Sequence, residues 1–296
     1  MTDSSLNIGF IGVGAMGEPM ARSLRRAGFA VTACAHRNRA PIERLANDGV
    51  REAPDPAGVA AQSNVVITCV PDAPQVAEAL FGAGGAMGGA TAPTTFIDMS
   101  TISPVATRDF ASRLGEGGHR FVDAPVSGGP VRANDGTLTI MVGADADDFA
   151  RIEPILKAMG TPYHLGGVGL GETVKLVNQL MISTIMLANA EALSFAKKAG
   201  ADLEAVRKVI ATATGSNYIL ENWLPKTWFA GTFEGGFALD LLRKDLAAAL
   251  DAARATKLAL PVSALAYQLY TLQSAEGDGA RDYSAVAKFY ERIAAE

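Results

Sequence analysis

Short apolar segments alternate with amphipathic segments along roughly the first 165 residues of the chain. Apolar runs such as Phe29–Ala35 and Asn64–Val70 have the length and composition of buried strands. Shorter strands are predicted at Arg120–Asp123, Leu138–Val142 and Pro162–Leu165, and a loop over the glycine- and alanine-rich stretch Gly82–Ala92. The segments between them, such as Pro104–Leu114, have the spacing of helices with one apolar face. This alternation predicts βαβ units, and therefore a largely parallel sheet with helices on both faces.

The pattern changes after Gly169. Strand patterns end there, and long helical patterns such as Glu172–Ala199 and Ala238–Thr256 take their place. We therefore predict a doubly wound parallel α/β domain over residues 1–166. An all-α C-terminal domain, which would carry substrate and subunit contacts, is predicted over residues 167–296.

A glycine-rich turn follows the first apolar strand, Ile8–Ile11. Gly12, Gly14 and Gly17 have the spacing G-x-G-x-x-G between that strand and an amphipathic helix, the context of a Rossmann-type dinucleotide site. Gly12 permits the bend, Gly14 lets a pyrophosphate approach the backbone, and Gly17 allows close packing of helix on strand. The N–H groups and positive dipole end of the helix would face the phosphates. A purely structural glycine turn is the alternative.

The end of the second strand bears on the choice between NAD and NADP. NAD-binding domains usually carry an acidic residue there, but this chain has His36, Arg37, Asn38 and Arg39, and no acid before Glu43. Two arginines can hold a 2′-phosphate, so the sequence favours NADP over NAD. The alternative is that both arginines lie on a solvated loop and NAD is accepted too. His36 is interpreted as a local polar contact.

Composition argues against several classes of partner. The formal charge is −5 and there is no basic run, which argues against nucleic acid. The two cysteines, Cys34 and Cys69, lie in apolar runs, which favours a reducing compartment over a disulfide framework. Residues 1–7 have no signal-like pattern, and no apolar run reaches the length of a membrane span. We expect a soluble, cytoplasmic protein without a membrane partner or a metal site.

Lys175 is the sharpest candidate for acid–base chemistry. Lys175 and Asn178 lie three residues apart on one face of a predicted helix, and Gly171 precedes the lysine by about one turn. We expect Gly171 to leave the approach to the lysine uncovered. Hydride transfer to a carbonyl needs a proton donor at its oxygen, and a partly desolvated lysine can supply it. The alternative is a solvated lysine on an amphipathic helix.

Two further segments carry candidate binding groups. Ser127, Gly128 and Gly129 would expose a hydroxyl together with bare backbone N–H groups, which suits a carboxylate, although an ordinary loop is the alternative. Lys244, in a predicted helix, would reach cofactor or substrate. Alternatively, it belongs with its neighbours to a polar helix face.

Four separated motifs in this chain resemble the β-hydroxyacid dehydrogenase family, which includes 3-hydroxyisobutyrate dehydrogenase and tartronate semialdehyde reductase. In chain order they are Gly9–Ala21, Phe121–Gly143, Gly169–Asn178 and Lys244–Leu246. The resemblance runs over nearly the whole chain, and the second motif is long and specific. It implies an NAD(P)-dependent enzyme that interconverts a small β-hydroxy acid and its semialdehyde, as a homodimer or homotetramer.

The resemblance also implies a role for each matched residue. The dinucleotide contacts that it implies are Gly12, Gly14, Ala15, Met16, Gly17, Val70, Pro71 and Thr101. It implies that Ser127–Gly129 hold the substrate carboxylate. Lys175 would be the general acid/base, and Asn178 would position the substrate. Lys244 would close over cofactor and substrate from the helical domain, with Asp245 as its motif neighbour.

Two departures from the family pattern concern the substrate. Gln179 stands where the family often has a second asparagine, and the aromatic segment Gly215–Phe237 does not match the 3-hydroxyisobutyrate enzymes. Its aromatic side chains Trp223, Trp228 and Phe233 either line the pocket or belong to the core or a subunit interface.

Several functional hypotheses therefore stay open. 3-Hydroxyisobutyrate or its semialdehyde is the first choice of substrate, and tartronate semialdehyde (2-hydroxy-3-oxopropionate) is the second. Imine reduction on the same scaffold is disfavoured, because that branch usually lacks the lysine. A non-catalytic nucleotide-sensing module is the alternative from another class, and the joint presence of Lys175, Asn178 and Ser127 argues against it.

Overall fold

The computed structural model describes residues 6–234 and 236–295 and divides the chain into two compact units. We call Met1–Lys175 the sheet unit and Leu176–Glu296 the helical unit. The functional boundary between residues 166 and 167 stays a prediction. Residues 1–5, on which the expectation of no signal sequence partly rests, and Gly235 of the aromatic segment lie outside the described residues.

Six parallel strands form the main sheet of the sheet unit, in the order β3-β2-β1-β4-β5-β6. They are β1 (Asn7–Ile11), β2 (Ala30–Cys34), β3 (Arg51–Ala53), β4 (Val65–Thr68), β5 (Thr95–Asp98) and β6 (Arg120–Asp123). The strand order reverses between β1 and β4, and ligands of such sheets bind at that switch point. The predicted Rossmann-type doubly wound sheet is confirmed.

Six helices connect these strands. They are α1 (Gly17–Arg26), α2 (Ala40–Asn47), α3 (Pro56–Ala60), α4 (Ala73–Phe81), α5 (Ala86–Gly89) and α6 (Pro104–Glu116). Several of them begin with an N-cap residue whose side chain accepts a backbone N–H, followed by a proline in the first turn. Asp55 accepts from the Gly58 N–H before α3, and Ser103 accepts from the Val105 N–H before α6. The short helix α5 falls in a glycine- and alanine-rich stretch that the sequence predicts as a loop.

A second, three-stranded sheet follows the main one. It contains β7 (Val126–Ser127), β8 (Leu138–Val142) and β9 (Gly160–His164), with α7 (Gly129–Asp135) and α8 (Ala146–Lys157) between them. β8 runs parallel to β9 and antiparallel to β7. The last two strands that the sequence predicts therefore belong to this sheet rather than to the main one. β8 runs antiparallel to β7 and is bridged antiparallel to the end of β6 at Asp123 and Gly143, so these strands do not extend the parallel order.

The helical unit is all α, as predicted. The long helix α9 (Leu170–Lys198) begins in the sheet unit and continues into the helical unit. It is followed by α10 (Leu203–Ile210), α11 (Leu239–Ala255), α12 (Pro261–Gln273) and α13 (Ala287–Ala295), with short π-helical and 3₁₀ turns over 219–226, 274–278 and 283–286. Trp228 and Phe233 are buried in the core of this unit, and Trp223 is half-buried against it. These aromatic side chains therefore belong to the core, one of the two alternatives left open by the sequence.

Helix α9 is longer and more apolar on average than the sequence analysis predicts for any segment of this chain. Over 18 residues its mean hydropathy reaches 1.2, so by length and composition alone α9 is one helix that could cross a membrane. The expectation that no segment reaches this length was wrong, because scattered polar residues break the run without lowering the average enough. Core helices of soluble proteins pass the same test, and the fold is consistent with a soluble protein.

Candidate active site

The turn between β1 and α1 needs glycine at two positions for packing and leaves a third open. Gly12 has a φ of +99°, and a Cβ there would overlap the carbonyl group of Cys69. A Cβ at Gly17 would overlap the carbonyl oxygen of Gly12 and lie 2.9 Å from Cε1 of Phe10. Gly14 is exposed, and a Cβ there would meet no atom within 4 Å. The exposed backbone at the helix start fits the pyrophosphate of a dinucleotide, since first-turn N–H groups have no partner within the helix.

Buried polar side chains end the neighbouring strands in one row across the sheet. Thr68 of β4 lies beside Asp98 of β5, and Asp98 lies beside Asp123 of β6. The Thr68 hydroxyl donates to Oδ1 of Asp98 at 2.8 Å, and the Ser100 N–H donates to the same oxygen at 3.1 Å. Because these groups are buried, their hydrogen bonds hold the ends of β4 and β5 in a fixed arrangement.

The predicted cofactor contacts Val70, Pro71 and Thr101 lie in the loops that come directly after β4 and β5. The Val70 N–H donates to the Ser100 hydroxyl at 3.0 Å, which ties the loop after β4 to the loop after β5. Pro71 is exposed and Thr101 half-buried. Because each comes just after a parallel strand, both lie at the edge of the sheet where the carboxyl ends of the strands meet. The turn at Gly14 lies at the same edge.

The Ser127–Gly129 turn has a backbone that favours glycine. Gly128 and Gly129 have φ of +138° and +70°, and a Cβ at Gly128 would lie 2.9 Å from carbon atoms of the Arg132 side chain. Gly128 is exposed and Ser127 half-buried. Within the described part of the chain, the Ser127 hydroxyl makes no hydrogen bond. The turn thus presents a hydroxyl and accessible backbone, as a carboxylate site requires.

Lys175 is buried, with 7% of its surface exposed, so it is not the solvated lysine of the alternative. It lies in the first turns of α9, and the carboxylate of Asp123 binds the start of that helix. Asp123 Oδ1 accepts from the Gly169 N–H at 2.6 Å, and Oδ2 accepts from the Glu172 N–H at 2.8 Å. Burial raises the pKa of Asp123 to about 6, although these backbone N–H groups and its own oppose the rise.

Gly171 serves packing rather than access. A Cβ at Gly171 would overlap the Met141 carbonyl oxygen and lie 2.8 Å from Oδ2 of Asp123. We predicted that the missing side chain of Gly171 leaves the approach to Lys175 open, but the structure gives a different reason for glycine at this position. Glycine is needed because α9 begins directly against the ends of β6 and β8.

In the helical unit, Asn178 and Lys244 are joined by a continuous chain of polar contacts. The Asn178 amide donates to Oε1 of Gln179 at 2.9 Å, and Nε2 of Gln179 donates to Oδ2 of Asp245 at 2.6 Å. Oδ1 of Asp245 pairs with the Lys244 ammonium at 2.8 Å. Gln179 and Asp245 are buried. The polar-face alternative applies to Arg243, which pairs with Asp240, but Lys244 lies against a buried carboxylate.

The two arginines after β2 differ in their surroundings. Arg39 Nη2 lies 3.0 Å from Oε1 of Glu52, on the adjacent strand β3, and its Nε lies 3.9 Å from Glu43. Arg37 is exposed, and among residues 6–234 and 236–295 its guanidinium makes no ion pair. His36 is exposed in the same loop. Of the two arginines, Arg37 has its charge available to a ligand.

The structure thus brings the candidate residues together in two groups, one in each unit. The sheet-unit group lies at the carboxyl ends of parallel strands and at the start of α9, and the helical-unit group is the Asn178–Lys244 chain. Three residues within these groups were not recognised as part of a site from the sequence, namely Asp98, Asp123 and Gln179. The two aspartates each end an apolar strand, which is a signal that sequence reasoning can use.

Two family descriptions match the chain. Residues 7–178 match the NAD-binding domain of 6-phosphogluconate dehydrogenase, and residues 169–290 match the NAD-binding region of NADP-dependent 3-hydroxyisobutyrate dehydrogenase. Together they span both units.

Full-length relatives agree with these matches. The chain is 39% identical over 292 residues to 2-(hydroxymethyl)glutarate dehydrogenase of Eubacterium barkeri, covering 98% of this chain and 97% of the relative. It is 39% identical over 291 residues to 2-hydroxy-3-oxopropionate reductase of Escherichia coli K12, covering 98% of each. The solved structure of Mycobacterium tuberculosis 3-hydroxyisobutyrate dehydrogenase with L-serine superimposes with a TM-score of 0.89 at 31% identity, covering 96% and 98% of the two chains.

Proposed function

The chain belongs to the β-hydroxyacid dehydrogenase family, and from this premise we propose that it interconverts 3-hydroxyisobutyrate, or a close analogue, and the matching semialdehyde. As a member it is an NAD(P)-dependent oxidoreductase that acts on a CH–OH group. The observation that carries the proposal is the burial of Lys175 at a helix start that is bound to the end of β6.

Lys175 is the proposed general acid/base. In the oxidative direction its amine takes the proton of the substrate hydroxyl as the O–H bond breaks and the carbonyl forms. In the reductive direction its ammonium returns a proton to the carbonyl oxygen. NAD(P), when bound, accepts the hydride of the hydroxyl-bearing carbon or returns it. Burial removes competing water from the amine and keeps the proton transfer with the substrate.

The substrate carboxylate is assigned to the Ser127–Gly129 turn. Its glycines leave backbone N–H groups accessible beside the Ser127 hydroxyl, and an anion there gains charge-assisted hydrogen bonds. Fixing the carboxylate fixes the hydroxyl-bearing β-carbon relative to the base, and such positioning contributes much of the barrier reduction. Asn178 and Lys244 are assigned to substrate and cofactor contacts from the helical unit, as the family resemblance implies.

NADP is the proposed cofactor, with NAD as the alternative. The loop after β2 carries Arg37 with its charge available, and the loop contains no acidic residue before Glu43 that would favour the ribose hydroxyls of NAD. Arg39 is a weaker candidate, because Glu52 already neutralises its charge. We therefore assign the 2′-phosphate contact chiefly to Arg37.

A second candidate substrate is 2-hydroxy-3-oxopropionate, reduced to the hydroxy acid. The observation in its favour is the 39% identity over 98% of both chains to the Escherichia coli reductase that bears this name. The two substrates share a three-carbon chain with the carboxylate at C1 and the aldehyde or alcohol at C3. They differ at C2, which carries a methyl group in one and a hydroxyl in the other.

A kinetic panel tests the proposal. NADPH oxidation is followed by absorbance with semialdehydes that differ only in the C2 substituent, and the reverse reaction with the corresponding 3-hydroxy acids and both cofactors. Turnover of the methyl compound with the highest kcat/KM supports the first choice, and preference for the hydroxyl compound supports the second. If NADPH binds but no hydroxy acid or semialdehyde turns over, the nucleotide-sensing alternative is favoured.

We also infer a homodimer or homotetramer. Large apolar side chains on α9 are exposed in the single chain, among them Met181 and Phe195. Exposed apolar surface on a long helix is typical of subunit contacts. Light scattering coupled to size-exclusion chromatography tests the inference, and a monomer at micromolar concentration would contradict it.

A further inference from the structure

Asp123 is a fully buried carboxylate that the proposed reaction does not use directly. It ends β6, and its two oxygens accept from the backbone N–H groups of Gly169 and Glu172 at 2.6 and 2.8 Å. Its own backbone is bridged to Gly143 at the end of β8 by hydrogen bonds of 3.2 and 2.8 Å. A single side chain therefore joins the main sheet to the first turn of α9, with its backbone held to the second sheet.

The space around this carboxylate is closed on two sides. A Cβ at Gly143 would lie 2.7 Å from Oδ2 of Asp123, and a Cβ at Gly171 would lie 2.8 Å from the same oxygen. Glycine at both positions lets the backbone of β8 and of α9 approach the carboxylate closely. The side chain has one position in which both oxygens are satisfied, so the helix start has one position as well.

Lys175 is three residues after Glu172, about one turn and roughly 4.5 Å further along the helix axis. A shift of the Glu172 N–H is transmitted directly to Lys175, since both belong to one helix. We propose that Asp123 is a positioning residue, whose ionised carboxylate holds the first turn of α9 so that Lys175 faces the reacting oxygen. This inference rests on the proposed acid/base role of Lys175.

The ionised form of Asp123 is the one that the geometry needs. A carboxylate offers an acceptor to each N–H, whereas an amide of the same shape must turn its NH₂ group toward one of them. A negative charge at the start of a 29-residue helix is also favoured by the helix dipole. Both effects favour a carboxylate over a neutral isostere at this position.

The charged groups around Asp123 come from three elements. Asp98 of β5 is its register partner, and its charge adds a smaller contribution to burial in raising the pKa of Asp123 to about 6. Glu172 and Lys175 lie on α9, and Arg108 of α6 reaches the Gly169 backbone, since a Cβ there would lie 3.2 Å from its Nε. Ionisation of Asp123 accordingly falls just below neutral pH, so the carboxylate that accepts both N–H groups prevails above about pH 6.

Two variants separate the position of the helix from the charge that sets it. Asp123→Asn removes the charge and one acceptor. Gly171→Ala keeps the charge but pushes the helix away from Oδ2 and from the Met141 carbonyl group. Gly167→Ala is the matched control, because Gly167 lies in the loop just before α9 and a Cβ there would meet no atom within 4 Å.

We expect Asp123→Asn and Gly171→Ala to lower kcat by about 100-fold, the cost of a misplacement of about 1 Å, while NADPH affinity changes less than about threefold. Gly167→Ala should keep kcat within about twofold of the wild type. Competitive acetylation of Lys175, followed by mass spectrometry across a pH series, supplies a readout that does not depend on turnover. In Asp123→Asn the lysine should be acetylated at lower pH than in the wild type, because a nearby negative charge has been removed.

The outcomes separate the two hypotheses. The inference is overturned if Asp123→Asn keeps wild-type kcat and an unshifted acetylation profile. Should Asp123→Asn fail to fold, equal kcat for Gly171→Ala and Gly167→Ala overturns it. If the wild type oxidises no 3-hydroxy acid, the proposed function fails, but the acetylation profiles still decide on Asp123. An acetylation profile that is shifted in Asp123→Asn then supports the coupling of Asp123 to Lys175, and an unshifted profile contradicts it.

Discussion

The side-chain amide of Gln179 donates a hydrogen bond of 2.6 Å to Oδ2 of Asp245, 66 residues away in the chain. Both side chains are buried. Oε1 of Gln179 accepts a hydrogen bond from the Asn178 amide, and Oδ1 of Asp245 pairs with the Lys244 ammonium. Gln179 replaces an asparagine that is common in the family, and its additional methylene lengthens the reach of the side-chain amide. Glutamine at position 179 thus links Asn178 and Lys244, the two proposed contact residues of the helical unit, through Asp245.

Replacing Gln179 by leucine is expected to lower kcat about tenfold or more, because Asn178 and Asp245 lose their common partner. Loss of a hydrogen bond to a buried carboxylate costs about 1.5–3 kcal/mol, so stability falls too. Gln273→Leu is the matched control, since Gln273 is buried and donates to Asp278 in the same unit. Thermal unfolding and steady-state kinetics should show comparable destabilisation in both variants, but a loss of kcat only at Gln179. Equal kcat in the two would contradict the assignment.

Lys175→Met should lower kcat by about 10²–10⁴-fold, the usual contribution of a general acid or base, and leave NADPH binding nearly unchanged. The methionine keeps the volume of the side chain but cannot transfer a proton. Single-turnover absorbance and NADPH fluorescence titration measure the two effects separately. Lys157→Ala, at an exposed ion pair on α8, is a suitable control. Parallel loss of turnover and cofactor binding would be incompatible with the acid/base role.

Arg37→Ala should weaken NADPH binding by about 10–100-fold and leave NADH binding unchanged, because a charge-assisted contact to the 2′-phosphate is worth about 1.5–3 kcal/mol. Arg39→Ala should have a smaller effect, since Glu52 engages that guanidinium at 3.0 Å. Glu52→Gln, which releases Arg39 and removes a negative charge, should strengthen NADPH binding. Titrations with both cofactors test all three variants, and an unchanged NADPH/NADH ratio in Arg37→Ala would refute the assignment.

Asp123 should give the sheet unit a distinctive dependence of stability on pH. Its folded-state pKa of about 6 lies above the ordinary aspartate value of about 3.9, so the folded state binds more protons between these values. Its contribution is therefore fully present below about pH 4 and is lost as the pH rises through about 6, by on the order of 3 kcal/mol.

Urea unfolding of the wild type and of Asp123→Asn at a series of pH values checks this expectation. Other carboxylates titrate in both proteins, so the difference between the two curves isolates Asp123. The wild type should lose stability relative to the variant between about pH 4 and 6, and the difference should be constant above pH 7. A difference that runs in the opposite direction would show that hydrogen bonds outweigh burial at this carboxyl group.

The sequence by itself determined the local structure of this protein. The glycine spacing after β1 was recognisable because each glycine answers a steric demand within a few residues, and β6 and β8 were predicted with the bounds that the structure has. The change from strand to helix periodicity after Gly169 was likewise sufficient to predict an α/β sheet followed by helices. Lys175 could be singled out as a candidate because the spacing of its motif on a helix is itself local information.

Only the tertiary structure decided which distant groups meet. The contacts of Asp123 with the start of α9 join residues 46 and 49 positions apart, and Gln179 meets Asp245 across 66. The pairing of Arg39 with Glu52 depends in the same way on β2 lying beside β3. Hydrophobic periodicity specifies which face of an element is buried, but not which polar group of another element it meets. That choice is made by close packing and by the need of each buried polar group for a partner.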